Sequence, residues 1–225
     1  MGHISVMNTP PDNKTIRLIA QELKVDPAFV EKDWYGVQVI AAISQMKYSN
    51  YELVFSGGTA LAKAHNLLER FSEDIDFRVK PIDHSPNKSA LSELKGKVID
   101  ALRNTGFQID DESIKARDGN KFFSCMIRYA RQFTNSSLRP DILVEITVDS
   151  PRLPAVHLPV SSFVATFTKK PPEVKKIGCL AYIENAADKL SALSWRVPNR
   201  IRGAAGDDKN NTLEPIAKLF SCLTI

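Results

Sequence analysis

The chain has 225 residues, 43% of them hydrophobic and 25% charged, a composition that excludes a disordered or fibrous protein and suffices for one large domain or two small ones. Its net charge of +4 is spread along the chain rather than massed in a tail, which suits phosphate-rich partners without requiring them. Three distant cysteines without a C-x-x-C pair, no apolar run of about 20 residues, and no signal-type core in MGHISVMNTPPDNK argue against a zinc ribbon, a membrane partner and secretion; a cytoplasmic protein is expected.

The first 46 residues read as helical. Asp12 is placed to cap a helix over roughly 13 to 23, and Asp26, followed by Pro27, a longer one that buries the stripe Trp34, Val37, Ile40 and Ala41. Leu53-Val54-Phe55 is a short strand running into Ser56-Gly57-Gly58-Thr59, and ALAKAHNLLE then continues without a breaker as a helix. A second strand covers Ile75 to Val79. Ser89 or Asn87 caps a helix from about 90 to 104. Further strands are expected at Phe107 to Ile109, Phe122 to Tyr129, Ile142 to Val148 and Phe163 to Phe167, and PPEVKKIG at 171 to 178 reads as a seam to a C-terminal helical part opening with ENAADKLSALSWR. The expected fold is α+β with a mixed sheet, divided into 1–170 and 171–225.

The chemistry concentrates in FSGGTALAKAHNLLERFSEDIDFRV, residues 55 to 79. On a strand, Asp74 and Asp76 project to the same side and Ile75 and Phe77 to the other. Two adjacent carboxylates repel unless a cation neutralises them, and with no His or Cys cluster nearby the natural cation is Mg²⁺ or Mn²⁺. Gly57 and Gly58 allow backbone amides close approach to a phosphate at the start of the following helix. Phosphate cradle and carboxylate pair together indicate phosphoryl chemistry, which asks for a third acid. Glu145, set in the apolar run ILVEITV, supplies it, because a charge among β-branched neighbours calls for a cation or a basic partner, the alternative being the solvent face of an edge strand.

Ser56-Gly57-Gly58-Thr59, then Leu61, Lys63 and Arg70-Phe71-Ser72-Glu73-Asp74-Ile75-Asp76-Phe77, resemble the first motif of the AbiEii-type nucleotidyltransferases, the toxins of type IV toxin–antitoxin systems, in the superfamily shared with DNA polymerase β. Glu31-Lys32-Asp33 resembles the family's N-terminal EKD, Glu145 its second motif, and Lys189, Ala192 and Arg196 its K-x-x-A-x-x-x-R motif. The resemblance implies a polymerase β-like core that moves a nucleoside monophosphate from a chelated nucleoside triphosphate to an acceptor, an RNA such as tRNA or a protein, with an antitoxin as partner. It implies Asp74, Asp76 and Glu145 as metal ligands. Ser56, Gly57, Gly58, Thr59, Lys63, Ser72 and Arg196 would contact nucleotide, and Lys189 would join the carboxylates in catalysis. Lys169, Lys170, Lys175, Lys176, Arg196, Arg200 and Arg202 could form an RNA-facing surface or be scattered solvated charges.

The C-terminus departs from the family, with Lys218 about where an assisting aspartate is expected and Asp207 or Asp208 as the substitutes. A homologue that binds nucleotide or a partner protein without turnover is therefore the alternative reading.

Overall fold

The computed structural model describes residues 8–69, 71–82 and 86–199, with Leu193 and 195–199 described by backbone alone. Arg70, His84, Arg200, Arg202, Asp207, Asp208 and Lys218 lie outside the described residues.

Two helices lead the chain. α1 spans Asn13–Leu23 and α2 spans Pro27–Ser44, each capped as its sequence predicts: Asp12 accepts from the Thr15 amide at 2.9 Å and Asp26 from the Ala28 amide at 2.8 Å. α2 is buried on almost every side, well beyond the expected stripe. Even Glu31, Lys32 and Asp33 are closed off from solvent. A helix this enclosed must satisfy each buried charge internally, and it does so with remote segments described below.

A seven-stranded mixed sheet follows. Its strands are β1 (Tyr51–Ser56), β2 (Asp74–Pro81), β3 (Lys115–Arg117), β4 (Phe122–Ile127), β5 (Ile142–Val148), β6 (Val156–Val160) and β7 (Val174–Cys179), in the order β3-β4-β5-β2-β1-β7-β6. The helices between them are α3 (Gly57–Lys63), α4 (Lys88–Asn104) and α5 (Phe163–Phe167), and α6 (Tyr182–Asn199) follows β7. Asn87 caps α4, accepting from the Ala90 amide at 2.9 Å. β2 and β5 are parallel and β1 is antiparallel to β2, so the C-terminal end of β1 meets the N-terminal end of β2. One face of the sheet, including Phe55, Ile75, Phe77, Phe123, Val144 and Ile146, forms a single core with α2 and α4. Full burial of a side chain such as Phe77 contributes about 1.5–3 kcal/mol.

Four expectations are corrected. Phe163 to Phe167 is a helical turn, not a strand, because the Ser162 hydroxyl caps it by accepting from the Ala165 amide at 3.0 Å. The stretch read as a seam carries β7, which pairs with β1 and β6 inside the sheet. The helix after the glycines ends at Lys63, where Asn66 turns the chain with φ of +53°. Phe107 to Ile109 contributes a lone bridge, Gln108 to Arg128, rather than a strand.

Candidate active site

The register of the sheet assembles the acids. Ser56 stands opposite Asp76 across β1 and β2, and Asp76 opposite Glu145 across β2 and β5. Asp74 lies two residues before Asp76 on the same face, so Ser56, Asp74, Asp76 and Glu145 share one surface while Ile75 and Val144 sink into the core. β5 is an interior strand, flanked by β4 and β2, which rules out an edge position for Glu145.

Gly57 lies against this row with φ of +74°. A side chain there would come within 2.6 Å of the Asp76 Cγ, so the position has to be glycine for Asp76 to keep its place. Thr59 is buried, and its hydroxyl donates to the Asp74 carbonyl, tying α3 to the start of β2 instead of pointing at the cleft. Ser56, Gly57, Gly58, Ser72, Asp74, Asp76, Glu145 and Lys189 together line a cleft of about 310 Å³. These are the residues the sequence singled out, brought to one place from β1, α3, β2, β5 and α6.

Glu145 is half-buried, and burial first, then the Asp74 charge, pushes its pKa above the ordinary carboxylate value, with Arg117 and Arg139 pulling it back. Asp74 is paired with the Arg139 guanidinium at 2.7 Å. Among the described residues no three His, Cys, Asp or Glu side chains form a ready-made metal shell. The donor set nevertheless suits a divalent cation that prefers oxygen: it is all carboxylate, lies on one face, and includes an acid whose ionisation its neighbour Asp74 opposes.

Arg78 and Arg139 are the functional-site residues that sequence reasoning missed. Arg78 follows Asp74 and Asp76 in the β2 alternation and projects to the same face. It pairs with Glu184 at 3.1 Å, with Asp149 at 3.2 Å and with Asp188, locking α6 across the cleft. Burial raises the Asp188 pKa and the Arg78 charge opposes that rise. Asn185 adds a second anchor, donating to the Gly57 carbonyl at 2.9 Å. Lys189 thereby faces the carboxylates from α6, whereas the side chain of Arg196 lies outside the described residues.

Lys63 is not brought to the cleft. It pairs with buried Asp33 and sits 3.5 Å from the centre of the Phe163 ring, bordering a separate cavity of about 490 Å³. Asp33 also accepts from the Phe163 amide at 2.7 Å. Its neighbours work likewise. Glu31 accepts from the Gln132 and Phe133 amides at 2.9 and 3.1 Å, and Lys32 binds Glu73 at 2.5 Å and the Arg139 carbonyl at 2.8 Å. Glu73 in turn accepts from the Arg139 amide at 2.9 Å, so the buried Lys32 fixes the backbone from which Arg139 reaches Asp74.

Residues 43–203 match the family described as Nucleotidyl transferase AbiEii toxin, Type IV TA system. That span holds every site residue above and leaves Glu31, Lys32 and Asp33 outside it. No curated protein matches the sequence. Among solved structures the chain is similar to MenT4, nucleotidyltransferase toxin Rv2826c from Mycobacterium tuberculosis H37Rv, at 19% identity and a TM-score of 0.51, a likeness of fold. The similarity covers 79% of this chain and 58% of that one.

Proposed function

The chain belongs to the AbiEii nucleotidyltransferase toxin family of type IV toxin–antitoxin systems, and from that premise we propose that it transfers a nucleoside monophosphate from a nucleoside triphosphate to a hydroxyl of an RNA acceptor, tRNA foremost, and is neutralised by a cognate antitoxin. The observation that carries this reading is the register of Ser56, Asp76 and Glu145 on three adjacent strands, with Gly57 packed against Asp76.

In this reading Asp74, Asp76 and Glu145 hold Mg²⁺ or Mn²⁺, which when bound neutralises the triphosphate and polarises the phosphorus under attack. The Gly57-Gly58 backbone and Ser56 lie where phosphate oxygens would rest, and Lys189 supplies a compact positive charge from α6. The acceptor oxygen bonds to the α-phosphorus as the bond to the β-phosphate bridging oxygen breaks, and pyrophosphate leaves. The hydroxyl proton passes to water as the new bond forms, with Glu145 orienting the incoming hydroxyl. Arg78 holds α6 closed over the cleft throughout.

The test is transfer of label from an α-labelled nucleoside triphosphate to RNA in the presence of Mg²⁺. Label on RNA that disappears in Asp76→Asn supports the reading. Binding of triphosphate without transfer to any RNA or protein would leave a nucleotide-binding homologue. Growth arrest on expression, relieved by a co-encoded neighbour, is the outcome expected of a toxin.

A further inference from the structure

Among the described residues the acidic face of the sheet is covered on one side only. α6 closes it over β1 and β2 through Asn185 and Arg78. Beyond Glu145 the same face continues across β4 and β3. Glu145 stands opposite Ser124 and Ser124 opposite Lys115; in the next row Thr147 stands opposite Phe122 and Phe122 opposite Arg117. Side chains in register on neighbouring strands emerge on the same side, so Lys115, Arg117 and Phe122 share the surface of Asp76 and Glu145. Lys115, Arg117 and Thr147 are exposed and Phe122 is half-buried.

The chemistry of this open half is specific. The Arg117 guanidinium lies over the Phe122 ring at 4.3 Å from its centre, and its charge reaches Glu145. Two of the acids near this edge are engaged by other cations: Asp110 by Arg128, and Asp111 by Arg103 at 2.7 Å. A cation stacked on an aromatic ring beside a second cation is what an unpaired polynucleotide requires, positive charge for phosphate and a π-face for any base. A duplex would keep its bases from the ring. A protein acceptor would find little apolar surface here.

We infer that Lys115 and Arg117 on β3, with Phe122 on β4, dock the acceptor as a single-stranded RNA end, its phosphates on the two cations and a base stacked on the Phe122–Arg117 pair. The inference rests on the nucleotidyl-transfer reading, of which it names the acceptor subsite. β3 lies two strand spacings from β5, about 10 Å, so an RNA entering over the β3 edge brings its terminal hydroxyl to Glu145.

The experiment uses the full chain and a 5′-fluorescein RNA of about 12 nucleotides, followed by fluorescence anisotropy across a salt series. Binding of a non-hydrolysable triphosphate with Mn²⁺ is measured in parallel by calorimetry. The double variant Lys115→Gln, Arg117→Gln is expected to lower affinity and to flatten the log-affinity against log-salt slope by about 1.4. Phe122→Leu is expected to weaken RNA binding about tenfold and leave the slope unchanged. Both should bind triphosphate as the wild type does, which shows that they are folded. Wild-type RNA affinity and slope in the double variant would overturn the inference. So would a wild type that binds triphosphate and no RNA, an outcome that keeps nucleotidyl transfer and assigns it another acceptor. A wild type that binds no triphosphate removes the nucleotidyl-transfer reading itself.

Discussion

Gly57 and Asp76 compete for the same space. Gly57 holds φ of +74°, and a Cβ built on it would lie 2.8 Å from the Asp76 Cβ and closer still to its carboxylate. The turn at the end of β1 and the acid on β2 therefore fit only because one of them has no side chain. Gly57→Ala is expected to cost about 1–3 kcal/mol through its left-handed backbone and, by displacing Asp76, to reduce label transfer by at least about tenfold. Thermal unfolding and the transfer assay check the two effects separately.

Arg139 pairs with Asp74, and the two side chains are 52% and 31% exposed, so their attraction is largely screened. Such a pair contributes up to about 1 kcal/mol. Arg139→Gln is accordingly expected to bind Mn²⁺ up to about fivefold more tightly than the wild type in the absence of nucleotide. Titration followed by electron paramagnetic resonance reads this directly, and weaker binding would show that the arginine does not compete for Asp74.

Lys63 neutralises an acid from which solvent is shut out. Removing one partner of a buried pair costs about 3–5 kcal/mol, and burial already pushes the Asp33 pKa upward against the Lys63 charge. Lys63→Met should lower stability toward that range, and Asp33→Asn in the same chain should restore part of it. Triphosphate affinity in the double variant should stay near wild type, because Lys63 borders the separate cavity and not the acidic cleft.

Much of the site was legible because its logic is local. Alternation put Asp74 and Asp76 in phase, and a charge inside ILVEITV marked Glu145 without any knowledge of topology. Arg78 and Arg139 were not legible, since Arg78 acts on α6, more than a hundred residues away, and Arg139 reaches Asp74 only because Lys32 and Glu73 hold its backbone. Elements failed where short apolar runs are ambiguous. Phe163 to Phe167 reads equally as strand or helix until Ser162 is recognised as its cap. Pro159 concealed edge strand β6, and the exposed pair Lys175 and Lys176 disguised β7 as a linker. α2 exceeded its expected stripe because its three charges each meet a partner from a remote segment.

The pH dependence of stability should carry the mark of Glu145. Burial and the Asp74 charge raise its pKa above the ordinary 4.5, so the folded chain holds this proton more tightly than the unfolded chain. The corresponding stability is fully present below the unfolded value and is lost as pH rises through the folded one. Relative to wild type, Glu145→Gln should therefore gain stability as pH rises from the ordinary 4.5 through the raised folded value, as measured by urea denaturation. Saturating Mg²⁺ should reduce that advantage by stabilising the wild type more than the variant, since a ligand of the native state adds to its stability.

Nucleotidyl transfer by this chain requires three carboxylates from two strands to act as one metal site beside a glycine turn. The most direct measurement is a crystal structure of the protein with Mn²⁺ and a non-hydrolysable nucleoside triphosphate, using anomalous scattering to place the metal. The expected result is metal density bounded by Asp74, Asp76 and Glu145, with triphosphate oxygens against Gly57 and Gly58. Ordered triphosphate elsewhere, with no metal at Asp74 and Asp76, would contradict it.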